Sequence, residues 1–397
     1  MRRLFLLVAA VVLVDTMFYA AITPLLPAYR ESLDLTKSAA GILSASYAGG
    51  TLAASLPGGW LAARVGVKAT LLAGLTLLAI SSLAFALADD YDVLVTARFV
   101  QGIGGAFSWS GGLAWLLKAA PGDQRGKLIG SALAAAIAGS LLGPVLGGMA
   151  TIVGPGPVFS GVAAVAVGLA AWAAVTPSAP PPEKPSWRTL GRAGVSPAVL
   201  VAVWLVMLPA LFSGTIGVLA PLRLDELGAT GLAVGIVFLL AAAVDAALAR
   251  VFGALSDRHG RMALIRLGLT AAIPFALLLP LAGSVAVEGL LVVGAVAALA
   301  GFWAPGIAQL ADSAETAGLD QGFAMALTNL AWAGGQVVGG ALGGRLADVT
   351  TDALPYLILA GLCGLTLGLA RRPRGRDRRA LRSPRPAAPA STPTSHP

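Results

Sequence analysis

The chain has 397 residues, of which 57% are hydrophobic and 12% are charged, and its mean hydropathy is +0.83. A soluble globular chain carries about a quarter charged residues, so this composition excludes an ordinary soluble domain. The net charge of +8 does not indicate nucleic-acid binding, because the basic residues fall in short loops and a tail. The single Cys363 excludes a disulfide framework and a cysteine-based metal site.

Apolar runs of roughly 20 residues, the length that crosses ~30 Å of hydrocarbon, divide the chain. They predict an all-α polytopic membrane protein. The predicted spans are 4–27, 38–61, 68–88, 93–116, 127–152, 156–175, 197–221, 230–254, 262–282, 286–308, 321–346 and 354–370. Met1-Arg2-Arg3 resembles the start of a signal peptide, but no clear cleavage site follows, so the first span is predicted to remain.

Two segments outside the spans set the predicted domain organisation. Residues 176–196 are rich in proline and charge and predict a cytoplasmic linker between two six-helix bundles, 1–175 and 197–370. Residues 371–397 are basic and then rich in Pro, Ala, Ser and Thr, which predicts a disordered cytoplasmic tail.

The distribution of loop charge predicts that both termini are cytoplasmic. With an even number of spans, only Arg30, Lys37, Arg223 and Arg345 would fall outside, and Arg98 would lie within a span. Positive loop residues concentrate on the cytoplasmic side. We therefore expect a multi-pass protein of a bacterial cytoplasmic membrane.

An internal repeat supports two bundles. Gly59 and Gly253 lie 194 residues apart, as do Pro27 and Pro221. A second set lies 192 residues apart, pairing Gly143, Gly147 and Gly148 with Gly335, Gly339 and Gly340. Agreement within two residues favours a duplication over chance matching of abundant glycines.

The repeat contains two basic loops whose residues resemble the loop signature of the major facilitator superfamily. The complete copy consists of Gly253, Asp257, Arg258, Gly260 and Arg261. The other copy keeps Gly59, Arg64, Gly66 and Lys68, with Ala63 and Val67 where the family usually has Asp and Arg. Arg98-Phe99-Val100-Gln101-Gly102 also resembles a motif of that family. The resemblance covers nearly the whole chain except the tail, and it implies the two-bundle major facilitator fold.

Glycines in the fifth span resemble the motif associated with drug:proton antiporters of this superfamily. The motif consists of Gly130, Gly139, Gly143, Pro144, Gly147 and Gly148. Small residues let helix backbones pack closely, and we expect this stripe to contact the eighth helix across the seam between the bundles. The eleventh helix is expected to repeat the contact against Gly49-Gly50 and Ala53-Ala54 of the second.

Three charged residues within spans are candidates for proton coupling. Asp15 lies near mid-membrane, where a charged, unpaired carboxylate costs several kcal/mol, so it must be protonated, paired or lined by water. The family resemblance implies that Arg98 faces the cavity and serves in proton coupling as its counter-charge. Asp245 is either a second acid site or the salt-bridge partner of Arg250, and the sequence leaves both open. Glu288 is expected at the outer surface, with no mechanism assigned.

Aromatic and amide side chains within the spans complete a candidate substrate site. They are Tyr19, Gln101, Phe107, Trp109, Trp303, Gln309, Asn329, Trp332 and Gln336. An apolar, aromatic cavity with few polar groups suits amphipathic organic molecules, and an acid favours cations among them.

These features predict a secondary transporter that uses inward proton flow to expel a hydrophobic or amphipathic small molecule by alternating access. The alternatives are a facilitator or proton symporter for a sugar or other metabolite, and a transport-dead membrane sensor. An enzyme is not expected, because the spans offer too few catalytic groups. No cofactor or metal is expected, since there is no Walker loop and both histidines lie outside the spans. The expected partners are the substrate, protons and the lipid bilayer, with the protein a monomer and no nucleic acid bound.

The unequal loops generate a first prediction. By family analogy Asp257 latches one conformation at the N-terminus of the fifth helix, whereas Ala63 leaves the other loop without an acid. Asp257→Asn should slow transport strongly, while Ala63→Asp should be mild or should stabilise the outward-facing state. Normal transport by Asp257→Asn at normal expression would contradict the latch.

Overall fold

The computed structural model describes residues 2–119, 125–178, 196–319 and 321–371, without the side chains of 125–127, 129, 257, 321–323 and 371. In these ranges the chain forms twelve long helical segments and no strand. The first six are α1 (Arg2–Ala20, a 3-10 turn Thr23–Leu25, then Leu26–Ser32), α2 (Lys37–Val65), α3 (Val67–Ala86), α4 (Tyr91–Ala119), α5 (Arg125–Val153) and α6 (Pro155–Val175).

The second six follow the unassigned linker. They are α7 (Pro197–Glu226), α8 (Gly231–His259), α9 (Arg261–Leu278, ending in a 3-10 turn Leu279–Leu281), α10 (Val285–Thr316), α11 (Gln321–Val337, a π segment Val338–Leu342, then Gly343–Val349) and α12 (Ala353–Arg371). The all-α prediction and its twelve spans are confirmed for the described residues. The linker at 179–195 and the tail at 372–397 lie outside them, and the domain boundaries stay a prediction.

Nine of the described helices are long and apolar enough, by length and composition, to cross a membrane. The other three are α2, α4 and α11. Glycine, serine and other polar residues lower the hydropathy of α2 and α4, and the π segment divides α11. These three helices pack largely against protein, so they need less apolar surface than a helix that faces lipid.

The repeat seen in the sequence is also a repeat of contacts. A Cβ at Gly143 would press on Met17 and Ala20 of α1, and one at Gly335 would press on Met207 and Ala210 of α7. Gly147 meets Ala21 of α1 in the same way that Gly339 meets Leu211 of α7. Each half of the chain thus packs its fifth helix on its first through glycine.

The predicted partner of the fifth-span glycines was therefore mostly wrong. Gly139, Gly143 and Gly147 face α1, whereas Gly148 alone faces α8, near Leu232, and Gly130 has no neighbour within 4 Å. Helix α8 does contact α5 across the seam, but through its own Gly235, whose Cβ would lie 3.0 Å from the Pro144 carbonyl oxygen.

The second seam forms between α2 and α11, as expected, but through different residues of α2. Gly41 packs on Gly340 and Gly344, whereas Gly50 faces Phe99 of α4 and was assigned to the wrong partner. The π segment of α11 contributes Gly340 to this contact. Both seams bring helix backbones close together, as small residues permit in membranes.

The turns in the two basic loops are shorter than expected. Helix α2 runs to Val65 and α8 to His259, so each turn is a single glycine, Gly66 (φ +102°) or Gly260 (φ +84°). Glycine is required there because its φ is positive. Gly59 and Gly253 lie inside helices with no atom within 4 Å of a Cβ, so no close helix contact depends on glycine at these two positions.

The distal end of the bundle, opposite Arg2 and the end of α12, holds a set of ion pairs between the two halves. Glu226 of α7 pairs with Arg30 of α1 at 3.1 Å and with Lys37 of α2 at 3.2 Å. Lys37 also binds Asp352, just before α12, at 2.7 Å. We call Arg30, Lys37, Glu226 and Asp352 the distal cluster. It ties α1 and α2 to α7 and α12.

The crossing of α2 and α4 generates a stability prediction. A Cβ at Gly102 would overlap the carbonyl oxygen of Tyr47 and lie 2.9 Å from the Thr51 nitrogen. Gly102→Ala should lower the thermal midpoint in detergent, because overpacking costs about 1–3 kcal/mol. The matched control is Gly59→Ala, where a Cβ meets nothing and helix propensity improves. Equal midpoints for the two variants would contradict this packing.

Candidate functional site

Asp15 is buried where α1, α2 and α4 meet. Its side chain is 1% exposed, and its Oδ2 accepts hydrogen bonds from the Tyr47 hydroxyl at 2.9 Å and from Trp109 Nε1 at 3.0 Å. Gly105 of α4 leaves the space for this group, since a Cβ there would lie 2.8 Å from Asp15 Oδ1. The carboxylate thus occupies a polar pocket made by aromatic donors.

Arg98 is also buried, one layer away on α4. Its Nη1 donates to Gln101 Oε1 at 2.7 Å and its Nη2 donates to the Tyr19 carbonyl at 3.1 Å. The guanidinium carbon lies 5.3 Å from the ring centroid of Tyr47 and 5.9 Å from that of Tyr19. Cation–π attraction and carbonyl contacts therefore compensate part of the cost of burying this charge.

Tyr47 joins these two groups. Asp15 and Arg98 interact electrostatically, as expected of a counter-charge, but no salt bridge joins them directly. The Tyr47 hydroxyl instead binds the carboxylate while its ring faces the guanidinium. Asp15 and Arg98 influence each other across an aromatic ring in a low-dielectric interior, where charges act over longer distances than in water.

The cluster is incompletely hydrogen-bonded. Asp15 Oδ1, Arg98 Nε and Gln101 Nε2 are buried and have no hydrogen-bonding partner in the protein. Buried polar atoms are nearly always paired, and exceptions concentrate where a group must change its protonation or partners. These three atoms make the cluster a candidate for a group that changes its protonation or its partners.

A central cavity of about 320 Å³ lies between the two sets of six helices. Its lining residues come from α1, α2, α5, α7, α8, α10 and α11. Most of them are apolar or small. The polar and aromatic ones are Tyr19, Thr23, Ser44, Ser140, Ser213, Phe238, Asp245, Trp303, Trp332 and Gln336.

The residues expected to bind substrate divide into two groups. Tyr19, Trp303, Trp332 and Gln336 line the cavity. The others do not line it; they are Gln101, Phe107, Trp109, Gln309 and Asn329. Helix α4 contributes no lining residue, because α1 lies between it and the cavity, and Trp109 and Gln101 bind Asp15 and Arg98 instead.

Tyr19 connects the cavity to the buried cluster. Its ring lines the cavity, packs 4.8 Å from the ring of Tyr47 and lies 5.4 Å from the ring of Trp332 on α11. The Tyr19–Trp332 contact crosses between the two halves. A change at Asp15 or Arg98 can therefore reach the cavity through one aromatic residue.

Asp245 is the acid of the cavity wall. It lies on α8, and no salt bridge joins it to Arg250, which is exposed. Of the two alternatives that the sequence left open, the salt bridge is wrong. Pro144 of the fifth-span motif lines the same cavity, with Ser140 one turn before it.

The basic loops contact neighbouring helices, Lys68 at the end of α6 and Arg261 along the C-terminal part of α10. Lys68 Nζ donates to the carbonyls of Ala174 and Thr176 at the end of α6, and Arg261 donates to the Ala308 carbonyl at 2.8 Å and pairs with Asp312. Cations at helix C-termini satisfy free carbonyls. Arg64 lies 5.1 Å from the ring centroid of Trp60, and Arg258 is exposed. The Asp257 side chain is outside the described residues, so its latch stays a prediction.

Sequence reasoning missed two buried residues. Tyr47 is 4% exposed in a predicted span, and a buried tyrosine hydroxyl in hydrocarbon needs a partner, which was the available signal. Glu288 is 1% exposed rather than at the surface, although it lies in the first turn of α10. No sequence feature distinguishes it from an interfacial glutamate.

The chain resembles known transporters in sequence. A family model described as Major Facilitator Superfamily matches residues 8–295 and 203–396. The "Probable vesicular acetylcholine transporter-B" of Danio rerio is 35% identical over 143 residues, 34% of this chain and 29% of the relative. The "Quinolone resistance protein NorA" of Staphylococcus aureus is 27% identical over 109 residues, 28% of each chain. The matches thus span less than a third of these curated relatives.

Solved structures with the same fold include the D-xylose-proton symporter, with a TM-score of 0.73 and 18% identity, covering 93% of this chain and 97% of that one. The nucleoside transporter NupG has a TM-score of 0.75 and 13% identity, covering 92% and 98%. At these identities the likeness concerns the fold alone.

The hydrogen bond from Tyr47 to Asp15 can be tested without a transport assay. Tyr47→Phe removes the donor and Asp15→Leu removes the acceptor, so the double variant should lose less stability than the two single losses combined. We expect a coupling of about 1–3 kcal/mol, the value of a buried hydrogen bond to a charged group. Thermal midpoints in detergent would measure it, and additive losses would contradict the contact.

Proposed function

Because the chain belongs to the major facilitator superfamily, we propose that it is a secondary transporter that expels a hydrophobic or amphipathic small molecule in exchange for protons. Members of this family span the membrane many times, and their fold is that of transporters. The proposal concerns the substrate class, the coupling ion and the direction. It adds that the protein acts as a monomer in a bacterial cytoplasmic membrane with both termini inside.

The cavity carries the proposal. About 320 Å³ suits a small organic molecule, and its wall is mainly apolar, with aromatic rings from both halves at Tyr19, Trp303 and Trp332. Asp245 is its only ionisable acid among the described lining residues. One carboxylate in an apolar, aromatic cavity favours a molecule with a hydrophobic body and a cationic or hydrogen-bonding group.

Proton coupling is proposed to use both carboxylates. Asp245 can bind either a proton or a cationic substrate, and one site that binds one or the other gives exchange. Asp15 and Arg98 lie behind Tyr19 with unpartnered polar atoms, so a proton on Asp15 would alter the contacts of Tyr47 and then of Tyr19. Substrate and proton would then favour opposite arrangements of Tyr47, Tyr19 and Trp332, which we call the aromatic layer.

The partial sequence relatives support this substrate class. One is named for resistance to quinolones and another as a probable vesicular transporter of acetylcholine, and both names refer to small organic molecules that carry an amine or ammonium group. The alternative of a sugar symporter has the fold of the xylose structure in its favour. The wall does carry hydroxyl, amide and indole groups that a sugar could use, but the greater part of its surface is apolar, which favours the amphipathic class.

The decisive experiment imposes a pH gradient on reconstituted vesicles and measures accumulation of a panel of amphipathic dyes and drugs, with xylose as a comparison. Gradient-driven flux should occur for part of the panel. Asp245→Asn and Asp15→Asn should each reduce it by about tenfold or more, since loss of a buried charged partner costs about 1–3 kcal/mol.

Glu31→Gln is the matched control, because Glu31 is an exposed acid far from the cavity wall. It should transport like the unchanged protein. No gradient-driven flux across a diverse panel, with folded protein confirmed by its thermal midpoint, would overturn the antiport proposal. Flux of xylose alone would favour the symporter.

A further inference from the structure

Glu288 is a buried acid that neither the cavity nor the Asp15 cluster uses. It lies in the first turn of α10, it is 1% exposed, and its Oε2 is buried with no hydrogen-bonding partner in the protein. The Tyr356 hydroxyl on α12 and Arg223 Nε on α7 are likewise buried and unpartnered. Three unsatisfied polar groups on three helices mark a second place built to change state.

The charged groups around Glu288 belong to, or touch, the distal cluster. Glu288 interacts electrostatically with Arg223 and Asp352, and Tyr356 with both acids. Arg223 contacts Glu226 at 3.5 Å and donates to the Ala282 carbonyl. Helix α8 presents only apolar Val237 to the neighbouring Gly289. Asp225 and Glu31 border the cluster beside Arg30.

We infer that Glu288 is a proton-binding site that controls opening of the distal end. The distal cluster joins the halves through Arg30 and Lys37 on one side and Glu226 and Asp352 on the other. Glu288 interacts electrostatically with Asp352 of the second pair and with Arg223, and it lies on the half from which Arg30 and Lys37 must separate when that end opens. The inference rests on the alternating-access part of the proposed function.

The sign of the coupling follows from counting charges. In the closed arrangement Arg30 and Lys37 bring positive charge to Glu226 and Asp352, and this charge favours an ionised Glu288. When the halves separate, Arg30 and Lys37 leave with the N-terminal half. Glu31 leaves with the same half and Asp225 stays, so the N-terminal half still removes net positive charge when it separates. Arg223 then faces three carboxylates if Glu288 stays ionised, and like charges disfavour ionisation.

A proton on Glu288 therefore stabilises the open distal end, and an ionised Glu288 stabilises the closed one. By linkage, lowering the pH on the distal side of the membrane favours opening of the distal end. If the distal end is outside, as the loop charges predict, Glu288 would take up protons from the side of the membrane that has the higher proton concentration. Binding of one proton changes the ratio of open to closed molecules by at most about tenfold per pH unit.

The test measures distances across the distal end in the full chain in lipid nanodiscs. Leu87 and Leu281 are strongly exposed at the distal ends of α3 and α9, so Leu87→Cys and Leu281→Cys can carry spin labels in a Cys363→Ala background. Lowering the pH from about 8 to about 5, a range that covers perturbed carboxyl groups, should increase the long-distance population. Glu288→Gln should show that population at every pH.

Two further variants keep the test decisive. Glu288→Asp retains the carboxyl group and should retain the pH response if Glu288→Gln fails to fold. Lys37→Gln should open the distal end at every pH, because it removes the cation shared by Glu226 and Asp352. Asp92→Asn, at an exposed acid in the first turn of α4 on the same end and outside the distal cluster, should respond like the unchanged protein.

The inference is overturned if Glu288→Gln keeps the unchanged protein's pH response, or if Lys37→Gln does not open the distal end. The inference is also overturned if the distance distribution of the unchanged protein does not change with pH while Lys37→Gln increases the long-distance population. The measurement needs no substrate, so its failure is distinguishable from failure of antiport. A vesicle preparation without drug flux but with a pH-dependent distance would contradict only the proposed function.

Discussion

Close approach of helix backbones at glycine is the constraint on which the site depends. In hydrocarbon there is no hydrophobic force between helices, so tight packing and polar contacts must hold them together. Gly102 brings α4 against α2 beside Tyr47, and Gly105 leaves room for the Asp15 carboxylate. Gly143 and Gly147 bring α5 against α1. These contacts fix α1 between the buried charges on one side and the cavity on the other.

Three acids then lie in different settings within one membrane protein. Asp15 is held by aromatic donors, Asp245 is part of a cavity wall, and Glu288 is buried beside a cluster of ion pairs. A carboxylate in the membrane is costly unless it is paired, protonated or in contact with water. Each setting meets that cost differently, so we propose a different role for each acid. Asp15 passes a change of protonation to the aromatic rings, Asp245 binds either a proton or the substrate, and Glu288 controls opening of the distal end.

A chain of aromatic rings connects Asp15 to the cavity whose wall contains Asp245. Tyr47 binds Asp15, Tyr19 packs on Tyr47, and Trp332 packs on Tyr19 from the other half of the chain. Rings with few rotatable bonds transmit a displacement better than flexible chains, because packed cores change between discrete arrangements. The distal cluster lies beyond the aromatic layer and joins the same two halves through charge.

Hydropathy was enough to establish twelve helices, because apolar runs of spanning length leave few alternatives in a membrane. The offset between matching glycines was enough to reveal the duplication, and a charge at mid-span was enough to single out Asp15. The sequence alone could not identify which helix each glycine stripe contacts. A glycine stripe indicates close packing but not whether α1 or α8 approaches, since every neighbouring helix offers small residues.

The same limit applies to Tyr47 and Glu288, whose importance depends on which helices converge. Hydropathy places a residue at a depth along one helix, and only the packing of several helices decides whether it meets lipid, water or another charge. The tertiary structure therefore placed Asp245 on the cavity wall without Arg250, moved Arg98 behind an aromatic ring and buried Glu288.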